Sequence, residues 1–211
     1  TAGTAITAYT KDETDTLIQY KESLDNKVDE NGFLDGVTYD IYNGNARVLT
    51  VDNIPQIKIK SHIIWIDGIE YAVAAIADNA IKDKSKVSNI HIPNTVKIIG
   101  SYFASNIGSK AITNIFSSNI GNYYMSSSNM TYGIIPENIT ALPDYSFSSS
   151  IVDYLYLPKL TSIFNIGCFA GSTFNIVNMG HIILSNQGSK ITCNTLILRD
   201  TNGVDEYKVS I

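Results

Sequence analysis

The chain has 211 residues, 44% of them apolar and only 17% charged, so it can bury a substantial core but carries less charge than the ~25% usual for soluble domains. A net charge of -5 without any dense Lys/Arg run argues against a nucleic-acid partner, because phosphate binding needs a concentrated basic face. Apolar runs such as Ile63-Ile-Trp-Ile66 are far too short for membrane insertion.

The first predicted element is a helix. Thr10-Lys-Asp-Glu13 has the capping-box spelling, in which the threonine hydroxyl and the glutamate side chain satisfy each other's backbone amides. Asp12, Glu13 and Asp15 then fall in the first turn, where carboxylates suit the helix dipole. The helix is expected from Lys11 to Lys27, ended by Asn31-Gly32, with Leu17, Leu24 and Val28 as an apolar stripe beside Ile18 and Tyr20. A helix of this length is marginal alone in water. Its stripe needs a partner, either the rest of the chain or copies of itself, although Lys21 interrupts a strict heptad. Leu17, Ile18, Leu24 and Val28 are the candidate oligomerisation residues, and a homotrimer is the expected assembly. The segment Tyr9-Thr-Lys-Asp-Glu-Thr-Asp-Thr-Leu-Ile18, with Asp25-Asn-Lys-Val-Asp29 after it, resembles one recurrent in bacteriophage tail-fibre and baseplate proteins. That resemblance implies a short trimerising helix ahead of a distal module.

From Val37 the pattern changes to strands. Val37-Thr-Tyr-Asp-Ile-Tyr42 alternates, Asn43-Gly44 is a two-residue hairpin signal, and Ala46 to Val51 returns. Ile57-Lys-Ile59 alternates again, and Ile63 to Ile66, Asp67-Gly68 and Ile69 to Val73 read as a second hairpin. These hairpins are expected to cap the first turn of a stack of strands beyond Val73, since such a stack needs an atypical end to block edge pairing.

Beyond Val73 the chain repeats one phrase. Ile90-His-Ile-Pro93, Ile134-Ile-Pro136 and Leu155-Tyr-Leu-Pro158 each end a strand-like run in an aliphatic residue and proline. Further aliphatics follow (Val96, Ile139, Leu160, then Ile99, Leu142, Ile163), and an aromatic tail closes each phrase at Phe103, Phe147 and Phe169. Pro136 to Pro158 is 22 residues and Pro93 to Pro136 is 43, close to twice that. A turn this short cannot enclose its own aliphatic side chains, so the period implies a stacked solenoid with one continuous core. Ile90, Ile92, Leu155 and Leu157 point inward by the period-2 rule, and His91, Tyr154 and Tyr156 outward. The proline ends ladder pairing at the same place in each turn. Only the stretch from Phe116 to Tyr132 loses the phrase. The run Ala75-Ile-Ala-Asp-Asn-Ala-Ile81, with Ile90-His-Ile-Pro-Asn-Thr-Val-Lys-Ile-Ile-Gly100 after it, resembles the BspA-type leucine-rich repeat over about residues 69 to 200.

The expected fold is therefore mostly β: a leucine-rich-repeat solenoid of about five to six turns of roughly 22 residues, with an N-terminal helix and capping β-hairpins. Residues 1–32 form the helical segment, 33–72 the capping hairpins, and 73–211 the solenoid with a late strand from Thr192 to Leu198 and a C-terminal cap. Cys168 and Cys193 are too few for a disulfide framework and read as two buried side chains, though a bridge between neighbouring turns is the alternative.

The pattern holds no sign of catalysis. His62, His91 and His181 lack metal-ligand spacing, and no nucleophile elbow, phosphate loop or dinucleotide fingerprint occurs. Asp40, Asp67 and Asp144 read as turn residues serving the backbone. No metal and no cofactor are expected. The remaining candidate is surface, because outward residues of successive strands stack into one broad face. Tyrosine, an apolar ring with a hydroxyl and little rotamer entropy to lose, favours recognition there. The candidate ligand-binding residues are His91, Tyr154 and Tyr156 on the strand face, and Tyr123, Tyr124 and Tyr132 in a loop expected where the repeat fades. The expected function is non-enzymatic recognition of a host surface carbohydrate or protein by a bacteriophage tail or baseplate component in the virion. The alternative is an extracellular or bacterial cell-surface adhesin of the BspA type.

Overall fold

The computed structural model describes residues 25–108, 111–113, 118–135, 139–157, 167–179, 193–199 and 205–210. The expected helix over Lys11–Lys27, with Leu17, Ile18 and Leu24, lies almost wholly outside these residues. Its last residue, Lys27, is already extended and bridges in parallel to Ile64. Val28, expected in a seam between chains, is instead 3% exposed in the chain's own core. Its amide donates to the Ile64 carbonyl at 3.0 Å. The physical reason is local: Asp29 folds the chain back by accepting from the amides of Asn31 and Phe33 at 2.8 and 2.9 Å, while the segment before it is held along β5 at Ile64.

The elements in chain order are β1 (Phe33–Leu34), β2 (Val37–Tyr42), β3 (Asn45–Val51), β4 (Gln56–Lys58), β5 (His62–Ile64), β6 (Glu70–Ile76), β7 (Asn89–His91) and β8 (Ile98–Ile99). There follow β9 (Ala111–Thr113), β10 (Asn119–Ile120), β11 (Asn129–Ile134), β12 (Ile151–Leu157), β13 (Thr173–Met179), β14 (Cys193–Arg199) and β15 (Asp205–Ser210). They build two sheets. The shorter runs β1-β2-β3-β6-β8-β10, with β5 also paired to β6. The longer runs β4-β7-β9-β11-β12-β13-β14-β15.

Both expected hairpins are present. β2 and β3 pair antiparallel through Asn43 and Gly44 at φ 51° and 73°, the left-handed pair that a two-residue hairpin requires. β5 and β6 pair antiparallel around Asp67-Gly68, where the Asp67 carboxylate accepts from the Ile69 amide at 2.9 Å. Asp40 is a correction to the turn reading. It lies within β2 and grips the Arg47 guanidinium through two bonds of 3.0 and 2.6 Å.

The hairpins continue the solenoid's sheets. β3 runs parallel beside β6, and β4 parallel beside β7. Four successive coils thus place a strand in each sheet (β3–β4, β6–β7, β8–β9, β10–β11), and β12, β13 and β14 extend the long sheet in parallel. The strand expected near Thr192–Leu198 is β14, and β15 turns back antiparallel against it.

The repeat sets the core. Ile90, Ile92, Leu142, Leu155 and Leu157 are all 0% exposed, and Val96, Ile99 and Ile135 at most 1%. One cluster of buried side chains runs from Val28 to Cys193. Register partners confirm the stacking: Asn89, Ala111, Tyr132, Tyr154, Ile176 and Thr195 stand side by side on successive strands. Cys168 and Cys193 are both buried thiols with no disulfide between them. Coils approach so closely at Gly121 that a Cβ there would collide with the Ser101 amide of the coil before.

Candidate functional site

Five successive coils enter the long sheet through a five-residue turn with a left-handed residue at either end. The pairs are Asn79 and Asp83, Tyr102 and Asn106, Tyr123 and Ser127, Tyr145 and Ser149, and Gly167 and Gly171, with φ between 53° and 69°. The turns form a ladder of their own: the amides of Asn79, Tyr102 and Tyr123 donate to the carbonyls of Ser101, Asn122 and Asp144, each at 2.9 Å. Gly, Asn and Asp are the ordinary occupants of a left-handed position. Tyrosine at three consecutive turns is not ordinary.

The three rings stack. Tyr102 and Tyr123 have centroids 4.4 Å apart and planes 6° apart; Tyr123 and Tyr145 are 4.9 Å and 11° apart. Lys82 caps one end, its Nζ 5.1 Å from the Tyr102 ring centre. Gly167 floors the other, since any side chain there would strike the Tyr145 ring. The rings are half-buried, with their faces spent on one another. Partial desolvation and the neighbouring Tyr102 and Tyr145 phenols raise the Tyr123 pKa. A non-glycine left-handed residue costs on the order of 1–3 kcal/mol, and a stacked aromatic pair returns about 0.5–1.5 kcal/mol. Stacking thus offsets part of this strain, whereas the flanking coils place Asn79 and Gly167 at the same position.

A second group lies on the outer face of the long sheet. Tyr132 is 49% exposed and sits beside its register partner Tyr154, with ring centres 6.0 Å apart. The Tyr154 hydroxyl accepts from Asn178 Nδ2 at 2.8 Å. Tyr156 and His91 are half-buried on the same face, two positions beyond Tyr154 and Asn89 along their strands.

The loop expected from Phe116 to Tyr132 is therefore corrected at its core. Residues 121–128 form another regular turn, and the three tyrosines assigned to that loop go to three places. Tyr123 joins the ladder, Tyr132 the sheet face, and Tyr124 the interior. Tyr124 is 0% exposed, its ring 5.5 Å from Phe103 in a near-parallel stack. It occupies the aromatic place in its coil, and its buried hydroxyl has no hydrogen-bond partner among the described residues, with its pKa raised well above the ordinary value by burial. Tyr124 is a core residue and is withdrawn as a ligand contact. Tyr102, Tyr145 and Lys82 are ladder members that sequence reasoning missed. The usable signal was spacing: Tyr102, Tyr123 and Tyr145 are 21 and 22 residues apart, the period of the repeat itself.

Among the described residues no group of three or more His, Cys, Asp or Glu side chains could hold a metal ion. No helix of the described residues is long and apolar enough to cross a membrane.

Comparison with curated proteins gives no match. Three solved structures are similar: a leucine-rich repeat protein from Bacteroides capillosus ATCC 29799 at 14% identity and TM-score 0.39, covering 57% of this chain and 96% of that one; a leucine-rich repeat protein from Bacteroides ovatus ATCC 8483 at 16% and 0.44, covering 80% and 70%; and a leucine rich cell surface protein from Faecalibacterium prausnitzii A2-165 at 17% and 0.43, covering 83% and 60%. Six copies of the BspA type leucine rich repeat region match residues 69–193, more than half the sequence; with its coils stacked at that same period, the chain belongs to the BspA-type leucine-rich-repeat family.

Proposed function

We propose that the chain is a non-enzymatic recognition module of a bacterial cell-surface or secreted protein, and that its tyrosines engage a surface carbohydrate or protein. One observation carries this reading: tyrosines at three consecutive turns, Tyr102, Tyr123 and Tyr145, held at φ 53°, 55° and 56°, where the flanking turns have Asn79 and Gly167. Strain retained at the same place in three successive turns points to use. The parallel stack sets the phenol edges in a line along the coils, and Tyr132 and Tyr154 extend aromatic surface onto the adjacent sheet. Membership of the BspA-type family supports the surface setting.

The test replaces Tyr102, Tyr123 and Tyr145 together by Asn, which keeps the left-handed turns satisfied. Binding to an array of immobilised glycans and extracellular proteins is expected to fall at least tenfold, with the melting temperature unchanged. Undiminished binding removes the ladder as the recognition element.

A second reading, favoured by the resemblance of Tyr9–Ile18 to phage tail segments, places the same module in a virion as a homotrimer joined through Leu17, Ile18 and Leu24. Light scattering then gives three chains, and one chain after deletion of residues 1–24. A monomer at tens of micromolar sinks it.

A further inference from the structure

We infer that a basic groove at the N-terminal end of the long sheet binds the oxyanion groups of an acidic polysaccharide, an inference that rests on the recognition reading and names its ligand class. The groove has a volume of about 560 Å³ and is lined by Asn26, Lys58, Lys60, Ser61, His91 and Asn94 among others. A second hollow of about 660 Å³ lies on the far side of the same Lys58 and His91, with Asp35, Gln56 and Asn89 along it. Lys58 and His91 thus form a ridge between two concavities. They are direct register partners on β4 and β7, which places their backbones roughly 4.8 Å apart. Two basic side chains directly opposite one another repel whenever both are charged, and this pairing stands in a chain of net charge -5.

The charges around the ridge are unequal. Lys60 is held by Asp35 at 3.3 Å, and among the described residues Asp35 is the only carboxylate lining either hollow. Lys58, exposed, makes no ion pair among the described residues. Asn26, Asn94 and Ser61 add neutral donors. An ammonium flanked by neutral donors suits a carboxylate, sulfate or phosphate oxygen. A linear polymer is favoured because outward residues on this sheet recur at a fixed rise along one line. Followed through the register of β9 and β11, that line runs from His91 to Tyr156, so sugar rings set against the tyrosines of this face bring an acidic substituent to Lys58. The competing explanation is that Lys58 merely blunts the last strand of the sheet against pairing with other chains, a common use of edge lysines. Lys58→Glu separates the two, because it keeps a charge on the edge but inverts its sign.

The experiment titrates the full chain and its K58E and K58A variants by calorimetry with heparin, polygalacturonate, a teichoic-type polyphosphate, neutral dextran and poly-glutamate. Expected are binding of at least one acidic polysaccharide but not dextran, weakening with added salt, and a loss of tenfold or more in both variants with unchanged solubility. The three acidic polymers distinguish sulfate, carboxylate and phosphate as the anion. Binding of acidic polysaccharide that is equal in wild type and K58E overturns the subsite and leaves the tyrosine reading standing, as does wild-type binding to dextran alone. Poly-glutamate binding with the same dependence on Lys58 overturns the polysaccharide assignment in favour of an acidic protein. No binding to any of these polymers overturns the subsite, and silence on the glycan and protein array as well sinks the recognition reading with it.

Discussion

Two buried tyrosines behave differently because only one has a partner for its hydroxyl. Tyr39 in β2 is 1% exposed, and its phenol oxygen accepts from the Lys60 amide at 3.3 Å. Burial pushes its pKa up to about 12. Between pH 10 and 12 the unfolded chain therefore loses a proton that the folded chain keeps, and stability must fall as pH rises through that window. The loss is on the order of 2–3 kcal/mol for a shift of about two units. A melting series across that range is expected to show a drop that Tyr39→Phe reduces. A Phe variant with the same alkaline drop removes Tyr39 as its source. Tyr124 has no such partner among the described residues. Tyr124→Phe is expected to hold or raise stability by about 1 kcal/mol, since it deletes an unsatisfied buried hydroxyl. Tyr124→Ala is expected to cost about 3–5 kcal/mol through loss of its ring from the core. A destabilised Phe variant in urea melts contradicts this reading of the site.

The turns show how an element repeats when its residues do not. Ser128, Ser150 and Ser172, spaced by 22, each place a buried hydroxyl between coils. Ser128 Oγ donates to the Ala104 carbonyl and Ser150 Oγ to the Met125 carbonyl, both at 2.7 Å, and Ser172 Oγ to the Phe147 carbonyl. The same hydroxyls of Ser150 and Ser172 accept from the amides of Ser128 and Ser150 at 3.3 and 3.4 Å. Serine persists at the turn exit because it satisfies backbone groups that no strand reaches. Ser150→Ala is expected to cost about 1–3 kcal/mol, read as a lower urea midpoint with unchanged slope. No shift in midpoint means the hydroxyl is dispensable. The aromatic in each turn is less regular. Phe103 and Tyr124 directly follow the first left-handed residue of their turns, Tyr102 and Tyr123, whereas Phe147 and Phe169 come one position later, after Ser146 and Cys168. The phrase fades near residue 120 for a different reason: no Ile-Pro ends a strand between Pro93 and Pro136, and Tyr124 stands where neighbouring coils have phenylalanine.

For the whole molecule the cap matters most. β3 pairs with β6 through Ala46↔Val73, Arg47↔Ala75 and Val48↔Ile76, and Val37, Tyr39, Ala46, Val48 and Val51 belong to the solenoid's core cluster. Removing residues 25–51 bares one edge of β6 and the apolar face behind it. Such an edge is a template for pairing with other chains. The truncated protein is expected to aggregate, seen as light scattering rising with concentration. A soluble, cooperatively melting truncation shows instead that the repeats from β6 onward close their own end.

The sequence by itself determined the period, the inward aliphatic rows and the two longer hairpins. Each depends on spacing along the chain: two-residue alternation, Asn-Gly and Asp-Gly turns, and side chains that can be buried only by neighbouring coils. The short β1–β2 turn at Asp35-Gly36, with φ 51° and 80°, carries the same signal, masked in the sequence by the expected helix end beside it. Which tyrosines meet was decided only in three dimensions. Tyr123 and Tyr124 are adjacent in sequence, yet one backbone turn points the first along the surface ladder and the second into the core. Stacking then joins Tyr102, Tyr123 and Tyr145 across about twenty residues each time. Direction at a left-handed residue is set by backbone dihedrals and by the coil above and below, and neither is written in the local sequence.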